Sequence, residues 1–221
     1  MKCYANTYCK KNKAECSEDC TAYVLLRNLY NLSKLPERYR YNIPLIPGKD
    51  DLLAFNELNE YMKDVVNRVA EGEGLYIWSN STGNGKTSWA AKIMNYYFRK
   101  IVFDTGLENE GLYIHVPTFL EDLRAYYSNE DDEFTQVLSM ARWANLLIMD
   151  DIGAEKPSEW VQERLLQIIN FREAEGKSTI YTSNISPAEL GKKLGNRIKS
   201  RIIGNCKEIR LVAADKRGGG R

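Results

Sequence analysis

The stretch Ser79–Trp89, SNSTGNGKTSW, decides how the rest of the chain is read. Set against the pattern G-x-x-x-x-G-K-[ST], it places Asn80 first, then Ser81, Thr82, Gly83, Asn84, Gly85, Lys86 and Thr87, with Ser88 just beyond. Every fixed position but the first matches. A loop of this spacing turns backbone N–H groups inward around phosphate oxygens, which its glycines permit. The lysine reaches the β- and γ-phosphates, and the hydroxyl after it ligates Mg²⁺. The helix that follows adds the positive end of its dipole. Asparagine is among the non-glycine residues that best accept positive φ, so Asn80 is expected to replace the missing glycine by adopting that backbone.

The surroundings fit such a loop. GLYIW (74–78) reads as a buried strand running into it, and 86–100 returns to helical periodicity after it. Further strands are expected at LYIHV (112–116), NLLIMDD (145–151) and STIYTSN (178–184). Helices are expected over 21–35, 51–70, FLEDLRAYY, 134–144 and 158–175, the last closed by Gly176, then one opening at Ser186-Pro187 and one around NRIKSRI, with the run KEIRLV to follow. Pro117 is expected to end the second strand, with Thr118 and Glu121 forming a capping box for the next helix. Strands alternating with helices imply an α/β fold with a parallel sheet covered on both faces. Ligands of such sheets bind beyond the carboxyl ends of the strands.

LLIMDDIG supplies a partner to the loop. Its apolar residues drive a strand into the core and leave Asp150 and Asp151 at the tip. One carboxylate can hold the Mg²⁺ shell, as phosphoryl transfer requires, and the next can polarise the attacking water. Asp150 is assigned to the metal, with Thr87, and Asp151 to the water.

Composition sets the bounds. The chain has 221 residues, 43% apolar and 28% charged, with net charge +1, so no global basic field announces nucleic acid. No apolar run reaches the ~18 residues of a membrane span. The opening MKCYANTYCKKNK lacks the apolar region of a signal peptide, so a cytoplasmic location is expected. The lone His115 lies in a strand pattern and reads as structural, Cys206 as a small buried or half-buried residue, and Trp78, Trp89, Trp143 and Trp160 as packing.

Four cysteines crowd the N-terminus: Cys3-x5-Cys9-x6-Cys16-x3-Cys20. Four thiolates suit tetrahedral Zn²⁺, whose binding would supply folding energy that this polar segment lacks. An iron–sulfur cluster and four reduced thiols are the other readings of the same spacing.

The string IMDDIGAEKPSEWVQERLLQIINFRE, followed by GKSTIYTSNIS and LGNRIKSRI, resembles the AAA+ ATPases that load bacterial replicative helicases, the DnaC/DnaI type, from about Leu35 to Val212. IstB-like transposition ATPases share much of it. The resemblance implies a P-loop NTPase sheet sandwiched by helices, ATP as cofactor, a hexameric replicative helicase and single-stranded DNA as partners, and a homo-oligomer when ATP is bound. It implies that Asn184 is the sensor that helps orient the attacking water. Arg201 would be an arginine finger reaching the γ-phosphate held by a neighbouring subunit, with Arg197 one helical turn earlier on the same face. LPERYR resembles the segment that closes over adenine, where Tyr39 or Arg38 would stack on the base; linker packing explains it equally. The loader plan also implies an N-terminal zinc module that docks on the helicase.

The chain divides on this reading into a Cys-rich module (1–35), a linker (36–50), the ATPase domain (51–212) and a flexible tail (213–221). Helix 21–35 offers a Leu/Tyr face either to the partner or to its own ATPase domain. Lys92, Arg99, Lys100, Arg124, Tyr126 and Tyr127 suit either a strand-binding path for DNA or ordinary solvated helix faces. Two features depart from typical AAA+ proteins: aspartate rather than glutamate at 151, and only nine residues after Val212, too few for a helical lid. Both leave open an adaptor that binds ATP with little turnover, beside the loader and the IstB-like regulator.

Overall fold

Five short strands form one parallel sheet: β1 (Gly74–Trp78), β2 (Gly111–His115), β3 (Leu146–Asp150), β4 (Ser178–Ser183) and β5 (Cys206–Arg210), of which β1 and β3 are the most apolar and β5 is largely charged. The computed structural model describes residues 3–5, 9, 16–41, 43–129 and 132–212, the side chains of 126–135 excepted. The strand order is β2-β3-β4-β1-β5, every neighbouring pair parallel. Successive side chains enter opposite layers, so a strand buried on both faces reads as a continuous apolar run. Leu75, Ile77, Leu146, Ile148 and Ile180 face one core. Tyr76, Trp78, Leu147, Met149 and Tyr181 face the other.

Helices α4 (Lys86–Ile101), α1 (Thr21–Leu32), α2 (Leu52–Lys63) and α3 (Val65–Ala70) cover the first face. In α4, Ala90, Ile93, Met94, Tyr97 and Phe98 recur at helical spacing and are buried. Each large apolar side chain hidden in this way contributes about 1.5–3 kcal/mol. Leu26, Leu29 and Tyr30 of α1 lie in the same cluster, with the Tyr30 ring edge-on to Phe98 at 5.5 Å between centroids. The buried face of α1 therefore packs on the 51–212 domain, one of the two roles its sequence left open.

The second face carries α5 (Val116–Asn129), α6 (Asp132–Trp143), α7 (Glu159–Ala174), α8 (Pro187–Leu194) and α9 (Asn196–Gly204). Helix α8 opens with the expected Ser186–Glu189 capping box and a proline in its first turn. Helix α7 begins at Ser158, whose hydroxyl accepts from the Val161 N–H, and ends before Gly176 at φ +59°.

Three expectations about elements need correction. The helix expected over 51–70 breaks at Asp64, whose backbone leaves the helical region (φ −104°, ψ 16°) between α2 and α3 while its carboxylate accepts from Asn67 Nδ2 and Arg68 Nε. Pro117 does not precede a capping box. It lies in the first turn of α5, where its fixed φ fits and its missing N–H goes unneeded, and Thr118 Oγ1 sits 2.9 Å from His115 Nδ1. Trp143 is 44% exposed at the end of α6 and leans on Phe171 rather than filling the core.

The 36–50 segment, expected as an extended linker, instead carries a 3-10 turn at Glu37–Tyr39 and enters another at Lys49–Asp51, and it is docked. Asn95 Nδ2 on α4 donates to the Tyr39 and Tyr41 carbonyls at 2.6 and 3.2 Å, and Arg40 Nε to the Leu35 carbonyl at 2.7 Å. At the far end, Val212 N–H donates to the buried carboxylate of Asp51. The tail 213–221 lies outside the described residues. Among those described, no helix is long and apolar enough to cross a membrane.

Candidate nucleotide-binding site

A cavity of about 590 Å³ opens at the carboxyl ends of β1, β3 and β4. It is large enough for a nucleotide. Thr82, Gly83, Asn84, Gly85, Lys86, Thr87 and Ser88 form one wall, and Asp150, Asp151 and Asn184 form another. The sequence reading thus brings these ten side chains to one place. Asn80 and Ser81 do not line it: Asn80 is exposed, and Ser81 serves through its carbonyl.

The left-handed backbone that the loop needs falls at Gly83 (φ +70°) and Gly85 (φ +99°). Asn80 is not among the described non-glycine residues with positive φ, which are Lys34, Leu107, Asn109 and Asp151. The expectation that Asn80 replaces a glycine by adopting such a backbone is therefore corrected: its position asks for no positive φ. Lys86 is 7% exposed and its Nζ donates to the Ser81 carbonyl at 2.8 Å and to Asn84 Oδ1 at 3.2 Å. The ammonium is thus folded back over the loop, where phosphate oxygens can take the place of these neutral acceptors.

Thr87 Oγ1 donates to Asp150 Oδ1 at 2.8 Å, joining the phosphate helix to the tip of β3. Asp150, 5% exposed, also accepts from Thr182 Oγ1 on Oδ1 at 2.6 Å and from Tyr113 on Oδ2 at 2.8 Å. A hydroxyl and a carboxylate at this separation are hard oxygen donors that fit Mg²⁺, which keeps most of its waters and takes one or two protein ligands beside the phosphates. Asp151 stands next door with φ +62°, its N–H donating to Thr182 Oγ1 at 2.9 Å, and Asn184 Nδ2 donates to its Oδ1 at 2.5 Å. The two residues assigned to the attacking water are in direct contact. Just beyond, Glu155 turns both oxygens to the Gly153 N–H, and burial pushes its carboxyl above the usual range.

Arg38 and Tyr39 line the mouth of the cavity, the guanidinium carbon 4.5 Å from the ring centroid, with Pro44, Leu45 and Ile46 beside them. Besides Pro44, Leu45 and Ile46, three lining residues escaped the sequence reading as site residues. Tyr113 and His115 belong to β2, and nothing in the sequence says that β2 pairs with β3. His115, read as structural, keeps that role through Thr118 but also faces the cavity. Thr182 was within reach: it lies near the end of β4, two residues before Asn184, and both line the cavity.

Arg197 and Arg201 are elsewhere. Both are exposed on α9, four residues apart. Arg201 pairs with Glu173, which also accepts from Asn205 Nδ2, and lines a separate 140 Å³ cavity with Gly74, Thr179 and Cys206 at the amino ends of β1, β4 and β5. Arg201 therefore lies at the strand ends opposite this chain's own phosphate loop. In that cavity, burial pushes the Cys206 thiol up to about 12.

The cysteines and the DNA path are not assembled. Cys3, Cys9, Cys16 and Cys20 are not joined by disulfides, and among the described residues no three metal-ligating side chains converge. Cys3 Sγ instead accepts the Ala5 N–H at 3.4 Å, while Cys9 and Cys16 are exposed. The expected zinc site does not fit this geometry, and no step below is routed through it. Lys92, Arg99 and Lys100 lie on α4, whereas Arg124 lies on α5 across the sheet, its guanidinium over the Trp160 ring; the side chains of Tyr126 and Tyr127 are outside the described residues. The sheet between the two helices prevents one continuous strand-binding path.

A parallel sheet whose first strand runs through a glycine turn into a helix, with an aspartate at a neighbouring strand tip bonded to the turn's threonine, is a P-loop nucleotide-binding domain. The chain belongs to the family of the bacterial DnaA ATPase domain, which it matches over residues 35–206. It is 30% identical over 140 residues to the replicative helicase loader DnaI of Bacillus subtilis (strain 168), covering 63% of this chain and 42% of DnaI. It is 24% identical over 153 residues to the replicative helicase loader DnaC of Escherichia coli (strain K12), covering 69% of this chain and 58% of DnaC. The chain thus spans about half the length of these relatives. A crystal structure of the DnaC helicase loader shares the fold, with TM-score 0.65 at 23% identity over 80% of this chain and 99% of that one.

Proposed function

We propose that this chain is an ATP hydrolase that loads the replicative DNA helicase onto single-stranded DNA, with ATP held between adjacent subunits. The observation that carries it is the contact chain Thr87–Asp150 and Asp151–Asn184 at the mouth of the phosphate loop. The helicase-loader relatives supply the partner class. The loop N–H groups and Lys86 hold the triphosphate. Thr87 and Asp150 hold Mg²⁺, which neutralises charge developing on the phosphoryl oxygens. Asp151 accepts a proton from the attacking water while Asn184 fixes the carboxylate's orientation. The oxygen–phosphorus bond to the γ-phosphate forms as the bridging bond breaks, giving ADP and phosphate. Arg201 of one subunit stabilises the transition state in the next.

Turnover measured with and without the hexameric helicase and single-stranded DNA tests this reading. Stimulation by both is expected. ATP binding without turnover under every condition would favour a nucleotide-gated adaptor instead. Arg201→Ala is expected to lower turnover by about 10³-fold with little change in ATP affinity, the lower end of what a finger supplied in trans is worth. Mixing it with Lys86→Ala subunits, which keep their arginine, should restore part of the activity. Mixtures as inactive as either variant alone would sink the trans arrangement.

A further inference from the structure

We propose that Tyr113 is a positioning residue for the magnesium carboxylate, holding Asp150 in register and fixing it to the end of α1. The inference rests on the reading of Thr87 and Asp150 as the magnesium site. Tyr113 lies on β2, the edge strand of the sheet, opposite Ile148 and two pairs before His115 meets Asp150. Its hydroxyl donates to Asp150 Oδ2 at 2.8 Å, whereas Thr87 and Thr182 both donate to Oδ1. With donors on both oxygens the carboxylate plane is fixed; without Tyr113 it keeps hydroxyl donors on one oxygen and is free to rotate about that end.

The backbone of the same residue faces the other way. Tyr113 N–H donates to the Ser33 carbonyl at 2.7 Å. Ser33 is fully buried where the chain leaves α1, its hydroxyl donating to the Tyr30 carbonyl, and Lys34 beside it turns through φ +56°. The edge strand is thus clamped between the end of α1 and the metal carboxylate. Partners of a metal-ligating carboxylate typically change metal affinity by 10- to 100-fold when removed.

Tyr113→Phe keeps the ring and the backbone N–H and deletes the one donor. Binding of a fluorescent ATP analogue should be titrated with Mg²⁺ and repeated in EDTA, for the parent chain and the variant. The half-saturating Mg²⁺ concentration is expected to rise about 10-fold, with metal-free affinity unchanged. Superimposable magnesium titrations would overturn the role of Tyr113. Equal weakening with and without metal would also overturn it, because that is what a packing residue does. A parent chain without any magnesium dependence would instead remove the metal-site reading beneath it.

Discussion

Lys86→Ala is expected to weaken MgATP binding by about two to three orders of magnitude while leaving the fold intact. The ammonium is already nearly withdrawn from water, turned over the loop by the Ser81 carbonyl and Asn84 Oδ1. Its desolvation is therefore met during folding rather than at binding, and exchanging neutral oxygens for phosphate oxygens strengthens each hydrogen bond. Truncating one partner of such a buried, hydrogen-bonded charge pair costs about 2–5 kcal/mol. Calorimetric titration with MgATP checks the affinity, and a thermal melt without nucleotide checks the fold. A dissociation constant within about threefold of the parent would mean that Lys86 does not contact phosphate.

The second large effect lies far from the nucleotide. Arg172→Leu is expected to destabilise the domain by about 3–5 kcal/mol. Arg172 is 1% exposed, and its guanidinium donates to Thr179 Oγ1, to the carbonyls of Ala141, Arg142 and Ala144, and to the Ser178 carbonyl. Three of these acceptors belong to the carboxyl end of α6, where carbonyls lack partners within the helix and a positive charge meets the negative end of its dipole. One side chain therefore ties α6, α7 and β4 together. Burial lowers its pKa to about 10, so the group remains a cation around neutrality. Leucine matches the volume in part but leaves several buried carbonyls unpaired, each a loss of about 1–3 kcal/mol. Lysine lacks the planar fork and should rescue little. At roughly 2–4 °C per kcal/mol for a chain of this size, the melting temperature should drop by roughly 10 °C or more. ATP affinity of the folded fraction should not change, since Arg172 sits at the opposite strand ends. An unshifted melt would show that the carbonyls find other donors.

Much of this was legible in the order of residues. The loop from Thr82 to Ser88 was readable because its chemistry is contained in one local stretch, and β3 because four apolar residues followed by two acids have few other readings. What escaped depends on neighbours in space. Tyr113 bonds Asp150 only because β2 lies beside β3, and strand order is not written in any single segment. The break at Asp64 interrupts a helical pattern of apolar residues that otherwise continues through it. Arg172 lay inside the string that carried the family resemblance, yet only its burial shows what it does. Asn80 was read from the expected backbone of a motif, and the actual loop places its left-handed turns at the glycines instead.

The phosphate loop stands at the carboxyl ends of the strands and Arg201 near their amino ends, so on the function proposed above the two halves of a finished catalytic centre point in opposite directions. Joining the finger of one copy to the loop of the next gives a head-to-tail contact, which either closes on itself or continues as a spiral. In an open spiral one terminal copy always keeps a vacant loop and the other an unused finger. Such an array of n copies holds n−1 working centres, while a closed ring holds n. Activity per copy would then report the geometry of the assembly, rising with array length and levelling off only when the ends meet.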